Sequence, residues 1–262
     1  MELFRKADQL IREVLGLPVL ASESGKGVDD LIVWIHLLMV ALFIGWLGYF
    51  LYTLWRFRAG RHPKADHHGV RGHASNYIEL LVAGIEIVLL VFVAIPLWAK
   101  AVDVTKIPES GEATNIQIVA QQFAWNARYA GKDGQFGKQN MKLVNSTNVF
   151  GLDYSDPNAT DDVAVLNEIH VPVNKPVVTY ISSKDVIHSF KILALRVTQD
   201  AIPGMRIPAW FKPTKEGRYQ INCAQLCGNG HSSMAQGFLV VESQEAYEKW
   251  LASKTGGATV LE

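Results

Sequence analysis

The chain is short of several things at once. Its 262 residues include only two cysteines, Cys223 and Cys227, too few for a disulfide-stapled scaffold. Neither sign of charge is in excess, since 25 Lys and Arg balance 25 Asp and Glu. That leaves no global basic field for nucleic acid and no acidic tail. No C-x-x-C-H occurs, so no haem c is attached to this chain. Internal repeats and low-complexity segments are absent, and no apolar stretch at the extreme N-terminus reads as a cleaved signal.

What is present is unevenly spread. Most of the apolar excess lies between Leu31 and Trp98. Residues 31 to 54, LIVWIHLLMVALFIGWLGYFLYTL, carry no charged side chain, and His36 and Thr53 are their clearly polar groups. About 20 apolar residues cross a bilayer as a helix, whose backbone satisfies itself internally. Trp34, Tyr49, Tyr52 and Trp55 supply interfacial anchors. A second span is predicted from Tyr77 to Trp98, with two acids and a late proline.

The loop RFRAGRHPKADHHGVRGH sets the orientation. Arg56, Arg58, Arg61, Lys64 and Arg71 face only Asp66, and short loops rich in Lys and Arg stay cytoplasmic. Both termini then lie on the outer, periplasmic side of a bacterial-type inner membrane. The loop histidines His62, His67, His68 and His73 are irregularly spaced and read as solvated. Glu79 and Glu86 lie two turns apart on one helical face. Intramembrane acids are costly and face protein or water. Glu79, near the cytoplasmic end, is the candidate for proton uptake, and Glu86 is read as hydrogen-bonded to neighbouring helices.

Three regions follow. Residues 1–28 form an amphipathic segment, with Leu3, Phe4, Leu10, Ile11 and Leu15 near helical spacing. Residues 29–100 form the hairpin, with its cytoplasmic loop at 56–75. Residues 101–262 form an external β domain. There TNIQIVAQQFAWNARYA, EIHVPVNKPVVTYISS, SFKILALRV, GRYQINC and GFLVVES are strand-like, punctuated at GKDGQFG, NKP, AIPG and TKEG. The pattern predicts a Greek-key sandwich or barrel. Ser243 caps a short terminal helix, QEAYEKWLASK.

The two cysteines fall in CAQLCGNGHSSM, residues 223–234. Cys223, Cys227, His231 and Met234 lie on a loop between strands, and His188 sits in SKDVIHSF on an adjoining turn. Singly these are a disulfide, surface imidazoles and a packing thioether. Jointly, thiolate, thioether and imidazole are the ligands of copper and not of calcium, magnesium or manganese. A mononuclear blue site uses one Cys, two His and an axial Met, so this set has one thiolate more. Two copper ions bridged by both sulfurs accommodate it, with one histidine on each and Met234 and a backbone carbonyl as weak outer ligands. Such a centre suits electron transfer, because a fixed ligand set changes little on reduction.

The hairpin, QQFAWN, DVIHSF, QDAIPGM and CAQLCGNGHSSM together resemble subunit II of the haem-copper cytochrome c oxidases. The resemblance implies a cupredoxin-like external domain holding the dinuclear CuA centre. It implies electrons accepted from cytochrome c, or from a neighbouring haem c domain, and passed to haem in subunit I. There oxygen is reduced to water with proton translocation; no catalytic residue lies in this chain. Carried over by position, His188, Cys223, Cys227, His231 and Met234 are side-chain ligands and Gln225 contributes its carbonyl. The family usually has Glu at Gln225, and the neutral amide weakens carry-over of its magnesium ion at the subunit I contact. Phe123 replaces the Trp that commonly marks where electrons enter, and Trp125 reads as core. Asp153, Asp156, Asp161, Asp162 and Glu168 form a stretch without Lys or Arg, a candidate patch for steering a basic donor. A membrane-anchored thiol reductase or copper-delivery protein fits less well, because His188 precedes the cysteine pair. A quinol-oxidising relative would lack these ligands, and a nitrous-oxide reductase would add a large catalytic domain.

Overall fold

The computed structural model describes residues 9–61, 63–64, 67–68, 72–109 and 111–254. Leu3, Phe4, His62, Asp66 and Arg71 lie outside the described residues. The chain divides into two compact units, one holding the stretch Gly27–Ala101 and the other Pro18–Lys26 with Val102–Glu262.

The first unit contains the apolar runs. Helix α1 spans Gly25–Arg56. Helix α2, Ala74–Leu89, continues through a π-turn at Leu90–Ala94 into α3, Ile95–Val102. The π-turn precedes Pro96, which cannot donate a backbone hydrogen bond and whose ring crowds the preceding turn. Widening that turn, with Ile95 N–H bonded to the Leu90 carbonyl, accommodates the ring. Both apolar stretches are long and apolar enough to cross a membrane, with mean hydropathies of 2.3 and 2.8. Only 6% and 0% of their most apolar windows are buried within the chain, so their side chains require lipid or another subunit for cover. At the end of α1 the guanidinium of Arg61 lies 4.2 Å from the centre of the Trp55 ring, and that of Arg58 5.7 Å from it. Further upstream, Arg12 pairs with Asp29 at 3.0 Å and with Asp30 at 2.5 Å.

The second unit is a sandwich of two five-stranded sheets. The first carries β1 (Thr114–Gln121), β2 (Ala124–Tyr129), β3 (Val163–Leu166), β5 (Val177–Ser183) and β8 (Ile207–Phe211), in the order β3-β2-β1-β5-β8. The second carries β4 (Glu168–Pro172), β6 (His188–Ile192), β7 (Val197–Ala201), β9 (Gly217–Cys223) and β10 (Gly237–Glu242), in the order β4-β10-β9-β6-β7. Pairs β1–β5 and β4–β10 are parallel and the other pairs antiparallel. Ile116, Ile118, Trp125, Tyr129, Ile181, Phe190, Ile221 and Leu239 fill the space between the sheets, all essentially sealed from solvent. The chain changes sheets at Asn167, whose φ of 58° is left-handed, a conformation Asn tolerates. Its N–H donates to the Trp125 carbonyl at 2.8 Å and its carbonyl accepts from Phe238 at 2.7 Å. Ser243 begins α4 (Gln244–Lys254), its hydroxyl accepting from Ala246 N–H at 3.2 Å.

Two local features depart from the sequence pattern. The run TNIQIVAQQFAWNARYA is a hairpin and not one strand, although neither Gly nor Pro marks its turn at Gln122 and Phe123. Contacts from elsewhere hold that turn: Lys184 N–H donates to the Ala120 carbonyl at 2.9 Å, and Gln122 N–H to the Asp185 carboxylate at 2.7 Å. Residues 18–24, ahead of the first apolar helix, pack into the sandwich. Ala21 is fully buried, its N–H donates to Ala194 O and its carbonyl accepts from Thr214 N–H, both at 2.8 Å. Glu23 N–H donates to Lys212 O at 3.0 Å, and the buried Ser22 hydroxyl donates to Leu195 O at 2.5 Å.

Candidate metal centre

One end of the sandwich gathers the soft donors. β9 ends at Cys223, the loop turns through Cys227 and a 3-10 turn at His231–Gln236, and β10 departs from Gly237. β6 begins at His188 and lies beside β9, with Phe190 opposite Cys223. The donor atoms of His188, Cys223 and Cys227 all lie within 4.8 Å of one another. Both cysteines are free thiols with sulfurs 4.0 Å apart. His231 Nδ1 is 3.3 Å from the Cys227 sulfur, His188 Nδ1 is 4.0 Å from the Cys223 sulfur, and Gln225 O is 3.0 Å from the Cys223 sulfur. Met234 is fully buried in the same core cluster as Cys227. Burial, followed by the neighbouring Cys223, pushes the Cys227 thiol up to about 11.

This donor chemistry fits copper. Two thiols, two imidazole nitrogens and a carbonyl converge from two strand ends and one loop, a predominantly soft set.

The surrounding groups orient the donors, and of these Asp185 and Gln122 carry no motif of their own in the sequence. Asp185 Oδ1 accepts from His188 Nε2 at 2.9 Å, which leaves Nδ1 toward the sulfurs; carboxylates hold ligating histidines this way. Burial raises the Asp185 pKa, but bonds from His188, Gln122 N–H and Val186 N–H outweigh it and keep the carboxyl below its ordinary value. Gln122 Nε2 donates to the Cys227 carbonyl at 2.7 Å, and Trp125 Nε1 to the Met234 carbonyl at 3.0 Å. The place of Asp185 three residues before His188 was the one available signal.

Phe123 is half-buried with its ring over the metal loop: a Cβ on Gly230 would lie 2.3 Å from its Cδ2. Gly228, at φ +135°, also faces that ring. Glu79 and Glu86 are exposed along α2.

Of the five acids, one is sealed from solvent. Asp162 is a correction to the docking set: its carboxylate is wholly buried in an ion pair with Arg128, so it presents no charge to a partner. Burial raises its pKa despite that partner. Asp161 accepts from Asp133 N–H and faces Gly131. Both precede Val163, which pairs with Tyr129, while Trp125 at the other end of β2 faces Met234. At about 3.3 Å per residue, roughly 13 Å of strand separates those two ends. Asp153 and Asp156 accept hydrogen bonds from Ser155 and from Lys138 N–H. Glu168 pairs with His170 at 3.1 Å and with Arg218 at 3.7 Å.

A β-sandwich with thiol and imidazole donors at one end of its sheets has the cupredoxin-like arrangement of a candidate soft-metal site. The family profile described as "Cytochrome C oxidase subunit II, periplasmic domain" matches residues 115–243. The chain is 30% identical over 225 residues to the "Cytochrome c oxidase subunit 2" of Cereibacter sphaeroides, covering 80% of this chain and 70% of that one. It is 36% identical over 141 residues to the "Alternative cytochrome c oxidase subunit 2" of Bradyrhizobium diazoefficiens. There the match covers 53% of this chain and spans half the length of that relative. The solved periplasmic domain of subunit II of cytochrome oxidase (CoxB) of Bradyrhizobium japonicum is 27% identical, with a TM-score of 0.41, covering 56% of this chain and 96% of that one. The chain belongs to the cytochrome c oxidase subunit 2 family.

Proposed function

We propose that this chain is the electron-accepting subunit of a respiratory haem-copper oxidase, with His188, Cys223, Cys227, His231, Met234 and the Gln225 carbonyl holding a pair of copper ions. The carrying observation is the convergence of two free thiols and two imidazoles at one end of the sandwich. When bound, the copper pair supplies one-electron oxidation and reduction without an open coordination position. The chain's residues supply the rigid frame: Asp185 orients His188, Trp125 holds the Met234 peptide, and both cysteines lose their protons on metal uptake. Phe123, lying over Gly228 and Gly230, is the point where an electron from a haem c donor enters. A haem in a partner membrane subunit would receive it, and the reduction of oxygen to water with proton translocation would take place there, outside this chain. Magnesium at that partner contact is weakened by the neutral amide of Gln225.

Placement of the segment before the first apolar helix on the same side of the membrane as the β domain is supported by hydrogen bonds within the β unit, and the basic loop argues that this side is periplasmic. Residues 21–23, before the first apolar helix, bond to residues 194–214, beyond the second. An even number of crossings lies between them. Glu79, on α2, takes up protons from the cytoplasmic side, and Asp153, Asp156, Asp161 and Glu168 remain as candidate steering acids. Glu79→Gln slows proton uptake; unchanged turnover and pumping would remove that role.

The test is to purify the full-length chain in detergent, load it with copper and count the metal while recording its electronic and paramagnetic spectra. Two copper ions sharing one unpaired electron are expected. A single copper with a blue spectrum, or a stable disulfide between Cys223 and Cys227, would refute the reading.

A further inference from the structure

The turn between β1 and β2 touches both the segment before His188 and the loop that carries Cys227 and His231. Gln122 contributes two divergent donors. Its side-chain amide holds the Cys227 carbonyl at 2.7 Å, a partner 105 residues away in sequence. Its backbone N–H holds Asp185 Oδ2 at 2.7 Å, 63 residues away, and the other oxygen of that carboxylate accepts from His188 Nε2. One residue therefore links the peptide of one thiol to the carboxylate that orients an imidazole. Nothing nearer in the sequence makes that link. Gly228, directly after Cys227, has φ +135°, where a loop has much backbone freedom, and the Gln122 amide restrains the peptide on its N-terminal side. Phe123 and Trp125 extend the same turn onto Gly230 and the Met234 carbonyl.

We propose that Gln122 is a positioning residue of the metal centre, locking the Cys227 loop to the Asp185–His188 pair so that the two thiols and His188 keep their spacing when the centre changes charge. This rests on the copper reading above. Gln122 touches no donor atom itself; it acts through a carbonyl and a carboxylate. Methionine matches its length without the donor, and lysine keeps a donor at similar reach. One lost hydrogen bond to a carbonyl corresponds to about a two- to tenfold change in a rate or equilibrium.

The experiment uses full-length protein in detergent micelles, loaded with copper. Wild type is compared with Gln122→Met, Gln122→Lys and Gln122→Ser. Gln139→Met serves as control, because that amide also donates to a backbone carbonyl, Phe150 O at 3.0 Å, which belongs to no candidate ligand. The readouts are copper content, the hyperfine pattern of the unpaired electron, and the first-order rate of copper loss to a Cu(I)-selective chelator. Gln122→Met should retain its copper, lose it about two- to tenfold faster and share the electron less evenly, with Gln139→Met and Gln122→Lys close to wild type. Wild-type behaviour of Gln122→Met, or an equal change in Gln139→Met, overturns the proposal alone. If Gln122→Met does not fold, the Lys and Ser variants decide: slow loss for Lys with fast loss for Ser supports it, and equal rates overturn it. A wild-type chain that takes up no copper pair overturns this proposal and the functional reading together.

Discussion

A single methyl group at Gly230 tests how tightly the aromatic turn clamps the metal loop. The backbone at Gly230, with φ −93° and ψ 16°, is open to any residue, so alanine adds no backbone strain and its effect is purely steric. The new Cβ would lie 2.3, 2.5 and 2.8 Å from Cδ2, Cε2 and Cγ of Phe123. Carbon atoms rest at about 3.5–4.0 Å, so ring or loop must retreat by roughly 1 Å. Overpacking of this kind costs about 1–3 kcal/mol. At about 1.4 kcal/mol per factor of ten, that corresponds to a roughly 5- to 150-fold faster loss of copper when the strain is released on opening. The assay follows decay of the copper–thiolate absorption of the full-length protein in micelles under a chelator. It is run on wild type, Gly230→Ala, Phe123→Ala and the double variant. In the Phe123→Ala background the extra methyl should be nearly silent, giving a coupling of about 1 kcal/mol or more. Gly230→Ala decaying at the wild-type rate, or an equal effect in both backgrounds, refutes the steric argument.

Further outcomes follow from burial and pairing elsewhere. In the metal-free protein, Cys227 at about 11 against an ordinary 9.0 should be alkylated at pH 8 about a hundredfold more slowly than in the unfolded chain. Because that pKa is raised by folding, the contribution to stability is complete below pH 9 and lost as pH rises toward 11, which metal-free thermal melts across that window would show. Replacing Arg128 by Met leaves the buried Asp162 carboxylate unpaired and should cost about 3–5 kcal/mol in unfolding experiments, with Asp162→Leu recovering most of it. Asp162→Asn should leave the salt dependence of donor oxidation unchanged, as a sealed carboxylate steers nothing. A fragment starting at Val102 should be less stable than the same fragment joined to residues 18–26, by roughly 2–6 kcal/mol for the four hydrogen bonds of Ala21, Ser22 and Glu23 alone; equal urea midpoints would show the segment to be dispensable.

The membrane helices and the donor loop were legible for the same reason: each is local. An uninterrupted apolar run announces its own solvent, and four donor-bearing side chains inside twelve residues announce a shared occupant once strands flank them. His188 was harder, since only the β6–β9 pairing brings it beside Cys223. What escaped was set by distant partners that no motif marks. The turn at Gln122 and Phe123 has no Gly or Pro, because Asp185 and Lys184 hold it from outside. Asp162 looked like one acid in a solvated series until its partner Arg128, 34 residues away, buried it. The inclusion of Ala21 in the β core had no signal beyond a small side chain in an apolar stretch.

The segment at Pro18–Lys26 imposes an order on biogenesis. It leaves the ribosome before either apolar helix, yet its partners at Ala194, Leu195, Lys212 and Thr214 are made long after both. The nascent chain must therefore carry this short strip unpaired through two membrane insertions, then recruit it back across a closure of nearly two hundred residues. Entropy alone tolerates that, because each doubling of loop length adds only about 0.6 kcal/mol. A partly synthesised sandwich would meanwhile expose the slot that Ala21 fills, so assembly factors and proteases meet an incomplete substrate until translation has passed Thr214.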